Sequence, residues 1–449
     1  MILAAAAFET PLLATVRAKG FSALPYVTVP RVYNNLDAAA SREQTLTVVE
    51  DLLDLLDPAG REGLEPPDSG SRDSVPSVPP RLEFPHDTST AAASRELAER
   101  GWSDGNVTLP PRTDVVDELV AAYADQIDPD APLFSIPPGQ GTATLRLIAA
   151  NAAMAGCEPD DLPFVVTCLR TIEQMREPFR TIGLSSTTSH GHFFVVNGPA
   201  REHLGDDTRR NQLGPGTENL VSQRIMRALV MSLRNLGQWK PGVLDNDVMG
   251  SPRKYGMIVA ENETESPWPS YAADAGFDPA QSTISMVVTS GEWDIGFQGQ
   301  TSIDNLIRAI AAKNGVMDLM GYFRRFPGQD DPHEGRLLLM SPAHAGPIAE
   351  AGLSKRETAE RLHEAMRAPA RQLMEPLRKL AEQGNIQPRF LELFDASDEE
   401  LEQRLMPIVN DPDDIRIVVC GSIRGKNMMF PTMGAVTLPL AITHDVAGG

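Results

Sequence analysis

The stretch HFFVVNGP, residues 192–199, sets four large apolar residues in front of a polar Asn-Gly-Pro turn. A short apolar run that ends in turn-forming residues is typical of a buried strand, here predicted at His192–Val196. MIVAENE, residues 257–263, and RLLLMSP, residues 336–342, also contain a short apolar run that ends in polar or turn-forming residues. Segments with helical spacing separate these strands. The sequence therefore predicts an α/β fold with mixed or parallel sheets and flanking helices.

The predicted elements cover most of the chain outside its Pro- and Gly-rich parts. RIVVCG, residues 416–421, reads as a buried strand that enters a Gly/Met-rich turn, and VTLPLAI follows that turn. Ser354 and Glu357 have the spacing of a capping box at a helix start. Further helices are predicted near residues 91–100, 114–126, 142–155, 159–175 and 219–236, and further strands near residues 256–260 and 283–289.

The first 56 residues predict a small, truncated βαβα domain, with strands at MILAAAA and PYVTVP. Two strands are too few for a stable sheet, so this piece is expected to pack on another part of the chain or on a second copy. The segment that follows is rich in Pro, Gly and Ser and reads as a linker. The predicted units are residues 1–56, the linker 57–81, a main α/β domain at 82–328 and a C-terminal α/β part at 329–449 that packs on the main domain.

Composition restricts the partners of the chain. Its 449 residues carry 40 Lys and Arg against 61 Asp and Glu, a net charge of −21. Nucleic acids and anionic membranes need a cationic face, so neither is an expected partner. The odd number of cysteines, three, is unlike a disulfide framework, and the apolar N-terminus reaches Glu9 too soon for a membrane span. These features predict a cytoplasmic protein.

TTSHGHFFV, residues 187–195, contains two histidines in a His-x-His pattern. Side chains alternate along a strand, so His190 and His192 are expected on the same side. Two imidazoles on one face supply two ligands for a divalent metal ion, which is the cofactor this pattern predicts. The alternative is a pair of ordinary polar residues at a strand end.

AENETESPW, residues 260–268, follows the next predicted strand. Glu261, Glu263 and Glu265 recur at every second position, so an extended chain would hold three carboxylates on one edge, with at least one raised pKa. Glu261 and Glu263 are therefore candidate acid–base groups. A solvated acidic loop is the alternative. Because ligands bind at the carboxyl ends of strands, we expect these carboxylates to share a pocket with His190 and His192.

Other candidate residues surround the turn NQLGPGTEN, residues 211–219. Backbone amides near Gly214 and Gly216 and the guanidinium of Arg224 would hold an anion at a helix start, with a simple tight turn as the alternative. Asn197 would orient the substrate by hydrogen bonds, and Lys254 in PRKY would neutralise charge or act as an acid. The turn has neither the GxGxxG nor the GxxxxGK[ST] pattern, so no nucleotide cofactor is expected.

His344 in MSPAHAGP and Cys420 after RIVVC are further candidates. An imidazole near a helix start can act as an acid–base group, or it can be a capping residue. Nearby Arg424 and Lys426 would lower the pKa of the Cys420 thiol, whereas most cysteines in apolar runs, including Cys157, are buried and inert.

Several strings occur in an order that resembles one family. They are NAAMAGCEPDDLPFVV (151–166), LGPGTEN (213–219), GSPRKY (250–255), AENETESPW (260–268) and SPAHA (341–345). Together they resemble the large domain of bacterial proteins related to the UGSC family, which is named for a Sec-Gly-Ser-Cys motif, over residues 82–440. That motif belongs to a preceding domain and is missing here, and Cys420-Gly421-Ser422 lies in a different place. The resemblance implies a redox role only if a partner chain supplies the selenol or thiol.

The leading interpretation is a cytoplasmic enzyme that acts on a small anionic organic substrate by acid–base or metal-assisted hydrolysis or elimination. Glu261, Glu263, His344 and Lys254 are the expected catalytic residues. One alternative is a thiol-dependent oxidoreductase related to UGSC proteins. Another is a non-catalytic subunit of a larger complex, and the incomplete first sheet makes a homo-oligomer or a partner subunit the expected assembly.

Overall fold

A computed structural model gives the fold of residues 2–5, 9, 12–13, 16, 26–29, 38–56, 84–85, 87–295, 302–312, 334–382 and 386–442. The predicted linker at residues 57–81 lies outside these described residues, as does most of residues 9–19, where the first helix of the βαβα domain is predicted. None of the helices in the described ranges is both long and apolar enough to cross a membrane.

Short strands and helices alternate along the chain. The strands are β1 (Ile2–Ala5), β2 (Tyr26–Val29), β3 (Pro132–Ile136), β4 (Gly141–Thr144), β5 (Gly191–Asn197), β6 (Met257–Ala260), β7 (Thr283–Thr289), β8 (Trp293–Ile295), β9 (Glu334–Met340), β10 (Arg367–Pro369), β11 (Leu405–Pro407), β12 (Ile415–Val419) and β13 (Asn427–Pro439). The helices are α1 (Ala38–Leu56), α2 (Thr90–Glu99), α3 (Thr113–Ala121), α4 (Leu145–Ala155), α5 (Leu162–Gln174), α6 (Phe179–Ser185), α7 (Leu220–Asn235), α8 (Tyr271–Asp274), α9 (Ile303–Ala311), α10 (Pro342–Glu350), α11 (Lys355–Ala365), α12 (Met374–Glu382) and α13 (Asp398–Gln403).

The main sheet has seven strands in the order β12-β9-β13-β7-β5-β6, with β8 paired to β13. β5 and β6 are parallel, and so are β9 and β12, whereas β13 is antiparallel to β7, β8 and β9. This mixed sheet with flanking helices confirms the predicted α/β class. Strands of the predicted C-terminal part, residues 329–449, complete the same sheet that the predicted main domain begins.

The sheet curls so that one of its faces lines a single apolar interior. Phe193 and Val195 of β5, Val259 of β6 and Val418 of β12 belong to one buried cluster, although β6 and β12 are at the two ends of the strand order. The two ends meet at one backbone hydrogen bond, in which Asn262 N–H donates to Val419 O at 2.8 Å. The carboxyl ends of β6 and β12 therefore lie next to each other.

Helices cover the outer face of the curled sheet in two groups. α4, α5 and α7 pack on the residues of β5 and β7 that point outward, such as Phe194 and Met286. α9, α10 and α11 pack on outward residues of β9 and β12, such as Leu338 and Ile417. Each strand thus buries both faces, which explains why the strand sequences are continuously apolar.

Two local predictions can be compared with the described structure. Ser354 Oγ accepts from Glu357 N–H at 3.1 Å and Glu357 Oε2 accepts from Ser354 N–H at 2.8 Å, so the predicted capping box is present. The predicted Gly/Met-rich turn after RIVVCG is wrong in its second half. Asn427–Met433 pairs with β9 and continues as one long strand along β7, with a bulge at Gly434, where φ is +59°.

The N-terminal piece contains a parallel pair of strands, β1 and β2, with Ile2 opposite Tyr26. Val27 and Val29 of β2 pack on Val48 of α1. The strand pair and the second helix agree with the elements predicted for residues 1–56.

The interior of the curled sheet predicts a large effect of truncating Phe430. Its ring is fully buried and lies 4.8 Å, centroid to centroid, from the ring of Phe193. We expect Phe430→Ala to lower the free energy of unfolding by about 3–5 kcal/mol, as measured by urea denaturation. Ile423→Ala is the control, because Ile423 is 68 % exposed and its truncation should change stability by less than about 0.5 kcal/mol. Equal losses in the two variants would contradict a closed apolar interior.

Candidate functional site

A buried polar cluster lies at the carboxyl ends of β5 and β6. Asn197, the last residue of β5, donates through Nδ2 to Glu261 Oε2 at 2.6 Å and to Glu263 Oε1 at 2.9 Å. The parallel register of β5 and β6 places these residues side by side. The structure therefore brings together three of the predicted site residues, Asn197, Glu261 and Glu263.

Glu261 is fully buried, and its two carboxylate oxygens differ in their surroundings. Oε2 also accepts from Tyr271 N–H at 2.7 Å, while Oε1 has no hydrogen-bond partner among the described residues. Burial raises the pKa of Glu261 to about 7, and the charge of Glu263 contributes in the same direction. Glu261 is thus a carboxyl group that changes protonation near neutral pH, as general acid–base chemistry requires.

The three glutamates do not lie on one edge, as an extended chain would have placed them. The chain turns after β6, so that Glu263 accepts from Gly198 N–H at 2.9 Å and faces Arg201, whose Nη1 is 3.3 Å from Glu263 Oε2. Glu265 turns back to accept from Asn262 Nδ2 at 2.8 Å. The chain is not extended in the turn at residues 262–266, so the three side chains do not alternate with period two.

The histidines lie at the opposite end of β5 from the carboxylates. His190 and His192 are at its amino end, and a strand of this length separates them from Asn197 by about 20 Å. The expectation that the imidazoles and the carboxylates share a pocket is therefore wrong. The histidines lie at the amino end of β5, whereas the carboxylates follow the carboxyl end of the parallel strand β6, so the two pairs lie at opposite ends of these strands.

The surroundings of the two histidines do not resemble a metal centre. His190 Nδ1 lies 3.0 Å from Ser186 Oγ, and burial lowers the pKa of His190 to about 4 and that of His192 to about 3. His192 packs edge-on against Trp239. Within the described ranges, no group of three or more His, Cys, Asp or Glu side chains is placed to hold a metal ion. The divalent metal stays a prediction for which these residues offer no third ligand.

Lys254 lies with the histidines and not with Glu261. Its Nζ is 2.6 Å from Asp245 Oδ2 and 3.1 Å from Asp247 Oδ2, and it stands over the ring of Trp239 at 4.9 Å. Two carboxylates already neutralise its charge. A catalytic Lys254 beside Glu261 is therefore contradicted by the structure.

Arg224 is also held away from the glycine turn. Its Nη1 donates to Glu158 Oε1 at 2.9 Å and its Nη2 to Asp161 Oδ1 at 3.2 Å. The guanidinium is buried and paired with carboxylates, so the predicted clamp on a substrate anion is wrong. Helical rotation is the reason, because the side chain at this position of α7 faces the start of α5 and not the turn.

The glycine turn itself is organised by Asn219. Asn219 Nδ2 donates to Asn211 O at 2.5 Å and to Gly214 O at 2.8 Å, which closes the turn without a bound anion. Gly216 has φ of +141°, a conformation that side chains disfavour. The tight turn, the alternative considered for this sequence, accounts for these contacts, while Gly214 contributes to the wall of a neighbouring cavity.

That cavity, here called the basic cavity, has a volume of about 340 Å³ and lies at the carboxyl ends of β9 and β12. Three cationic residues line it, Arg210, Arg424 and Lys426. Ligands of α/β proteins bind outside the carboxyl ends of parallel strands, and this is such a place. The other lining residues are Asn211, Gln212, Leu213, Gly214, Leu339, Ser341, Cys420, Gly421, Ser422, Asn427 and Met428.

His344 supports the wall of the basic cavity from behind. Its Nδ1 lies 3.0 Å from Oδ1 of Asn427, a residue that lines the cavity. A Cβ on Gly425 would come within 2.6 Å of His344 Nε2, so glycine lets the backbone lie directly on the imidazole. The contacts therefore show His344 as a residue that positions Asn427, and its catalytic role stays a prediction.

The thiols are poorly suited to act as nucleophiles. Cys420 lines the basic cavity, but burial raises the pKa of its thiol to about 12, and the negative charge of Glu261 raises it further. Burial also raises the pKa values of Cys157 and Cys168. The expectation that Arg424 and Lys426 lower the Cys420 pKa is wrong, because desolvation dominates. A thiol-dependent redox reaction gains no support from these environments.

Sequence reasoning did not identify the residues that line the basic cavity as a group. Arg210 precedes the glycine turn, and Arg424 and Lys426 follow the strand that ends at Val419. The available signal was the string GSIRGK, two cations in a glycine-containing turn directly after a buried strand. Arg210 carried no comparable signal, since only folding brings it to this edge.

No family model matches the chain, and no curated protein or solved structure is significantly similar to it. The UGSC resemblance therefore stays a prediction. What the structure adds is that LGPGTEN, SPAHA and the glycine turn after RIVVC all contribute to the wall of one cavity.

Burial of Glu261 predicts a characteristic pH dependence of stability. Its pKa rises from an ordinary 4.5 to about 7 on folding, so folding favours the protonated form. This contribution is fully present below about pH 4.5 and is lost as pH rises through 7, a change of about 3 kcal/mol. We expect Glu261→Gln, which resembles the protonated form, to become more stable than the wild type as pH rises from 5 to 8 in urea denaturation. The control is Glu364→Gln on the exposed face of α11, whose stability relative to the wild type should not change with pH. If the stability of Glu261→Gln relative to the wild type were also independent of pH, the raised pKa of Glu261 would be contradicted.

The raised thiol pKa values predict slow alkylation of the native protein. At pH 8, a thiol with a pKa of about 12 has a thiolate fraction roughly a thousandfold below that of an ordinary cysteine. We expect iodoacetamide to label Cys420 far more slowly in the folded chain than in urea, with mass spectrometry of peptides as the readout. Rapid labelling of Cys420 in the folded protein would restore the thiol mechanism.

Proposed function

We propose that the protein is an enzyme that binds a small anionic organic substrate in the basic cavity and uses Glu261 as its proton reservoir. The reaction class that fits is hydrolysis or elimination by acid–base chemistry. The observation that carries the proposal is the pair of hydrogen bonds that Asn262 donates to Val419 O and Gly421 O, each at 2.8 Å, on either side of Cys420 in the cavity wall. They hold the preceding residue, Glu261, next to that wall as a buried carboxyl group with a pKa raised to about 7.

Charge distribution supports an anionic substrate. The chain as a whole has a net charge of −21, yet the wall of the basic cavity contains Arg210, Arg424 and Lys426 and no acidic residue among its described lining. Lys426 pairs with Asp294 outside that lining, at 2.6 Å, so Arg210 and Arg424 are the cations most available to a ligand. Arg210 and Arg424 are exposed, so their guanidinium groups are accessible to a ligand from solvent. Guanidinium groups bind carboxylates and phosphates through paired hydrogen bonds.

The surrounding polar groups support recognition of a small molecule. Ser341, Ser422 and Asn427 add hydroxyl and amide groups to the cationic wall. Leu339 and Met428 supply an apolar floor. A few polar groups that converge on an apolar cavity of several hundred Å³ are the usual design of a small-molecule site.

The link to proton chemistry lies in the position of Glu261 behind Cys420. An anion in the cavity disfavours the carboxylate form of Glu261 and raises its pKa further, so binding at pH 7 takes up part of a proton per chain. Glu261 is not among the residues that line the cavity, so its proposed role is to hold a proton beside the site and not to touch the substrate.

Sulfate tests both parts of the proposal, because it is an anion that does not titrate near neutral pH. We expect isothermal titration calorimetry to detect sulfate binding to the wild type. Arg210→Gln and Arg424→Gln should each weaken it by about tenfold or more, since each removes a hydrogen bond between a guanidinium and the sulfate. Arg95→Gln, at an exposed position of α2 that does not line the cavity, is the matched control. A loss in Arg95→Gln as large as in Arg424→Gln would mean that sulfate responds only to overall charge.

Proton uptake is measured in a parallel titration without buffer. The readout is the amount of acid that must be added to keep the pH at 7 as sulfate binds. The wild type should take up less than one proton per chain, with the largest uptake near pH 7. Glu261→Gln should still bind sulfate but take up no proton. Uptake that persists in Glu261→Gln would assign the proton to another group and overturn the role of Glu261.

A further inference from the structure

A second cavity, of about 270 Å³, lies beside the amino end of β6. Its apolar wall is formed by Leu213, Met226, Met257 and Ile258. We name it the Ser222 cavity, after a residue of its polar wall. An apolar cavity of about 150 Å³ can already hold benzene, so the Ser222 cavity has room for a ring with a polar substituent.

The Ser222 cavity carries no net charge. Arg227 is the one charged residue in its described wall, and Asp104 pairs with it through two hydrogen bonds, from Arg227 Nε at 2.8 Å and from Arg227 Nη2 at 3.0 Å. The side chain of Asp104 is almost fully buried. An anionic ligand would compete with Asp104, and a cationic one would face Arg227, so the cavity favours an uncharged ligand.

Ser222 provides the second observation. It is 4 % exposed, and its hydroxyl has no hydrogen-bond partner in the described part of the chain. Ser232, on the same helix α7, is equally buried but donates to Ala228 O at 2.8 Å. A buried hydroxyl without a partner destabilises a fold. A ligand in the cavity whose polar group pairs with Ser222 would remove that cost.

We infer that the Ser222 cavity is a second ligand site, for a small uncharged organic molecule that combines an apolar body with a carbonyl or amide group. The apolar body packs on the side chains beside β6, and the polar group hydrogen-bonds to Ser222 Oγ.

This site is chemically different from the basic cavity, although the two share the wall segment Gln212–Gly214. One cavity has a wall with an excess of cationic residues, and the wall of the other has no net charge. The inference does not depend on the proposed enzymatic function, since it concerns another class of ligand. Sulfate binding and binding of an uncharged probe can therefore fail separately.

Benzamide and toluene are suitable probes, because they share a ring and only benzamide carries an amide. Saturation-transfer NMR on the full chain should detect both. Ser222→Ala should weaken benzamide binding several-fold and leave toluene binding unchanged. It should also raise the melting temperature of the ligand-free protein, because it removes an unpaired buried hydroxyl.

Ser232→Ala is the matched control on the same helix. It should lower the melting temperature, since it removes a made hydrogen bond, and it should leave benzamide binding unchanged. Gln223→Trp, at an exposed position of the cavity wall, should block both probes without loss of sulfate binding. Benzamide binding that is the same in the wild type, Ser222→Ala and Gln223→Trp would overturn the inference.

Discussion

The closure of the curled sheet between β6 and β12 is the constraint on which the rest of the structure depends. Asn262 closes the sheet with two hydrogen bonds. Its backbone N–H donates to Val419 O at 2.8 Å, and its side-chain Nδ2 donates to Gly421 O at 2.8 Å. Ala260, Glu261 and Asn262 are fully buried as a result. Desolvation at this junction is the main cause that raises the pKa of Glu261, and the charge of Glu263 adds to it.

The same closure sets the electrostatic contrast between the interior and the surface. Glu261 lies inside, where Asn197 and the backbone of Tyr271 hold one of its oxygens. Arg424 and Lys426 follow β12 into solvent on the other side of Cys420. A strongly acidic protein thereby presents a local cationic cavity next to a protonatable carboxyl group. Such a local field attracts small anions even when the overall charge repels them.

Sequence reasoning succeeded where a local pattern has only one physical solution. Apolar runs such as FFVV and MIVA had to be strands buried on both faces, and Ser354 with Glu357 had to start a helix. It also selected Asn197 and Glu261 as site residues, but it did not pair them, and the parallel strands β5 and β6 are what bring them together. It was wrong about His190 and His192, because a polar residue before a strand and one after it look alike in sequence but lie at opposite edges of the sheet.

In the candidate site, too, sequence patterns identified residue types correctly but not where folding places their side chains. Arg224 looked like an anion clamp because it follows a glycine turn, but the rotation of α7 turns it toward Asp161. Arg210 has no sequence signal, yet it lines the basic cavity together with residues more than two hundred positions away. Burial raises the pKa of the Cys420 thiol, although its basic neighbours in sequence predicted a lowered pKa.

The sequence by itself determined the α/β class, most strands and helices, and the polar residues at strand ends, because these depend on hydrophobic periodicity and on capping within a few residues. Only the tertiary structure decided that Asn427–Pro439 is a single strand, since its hydrogen bonds are made with β9 and β7 from distant parts of the chain. It alone also decided which polar groups share a cavity. Curvature of the sheet and the direction of each strand bring such groups together or apart, and neither is encoded by spacing along the chain.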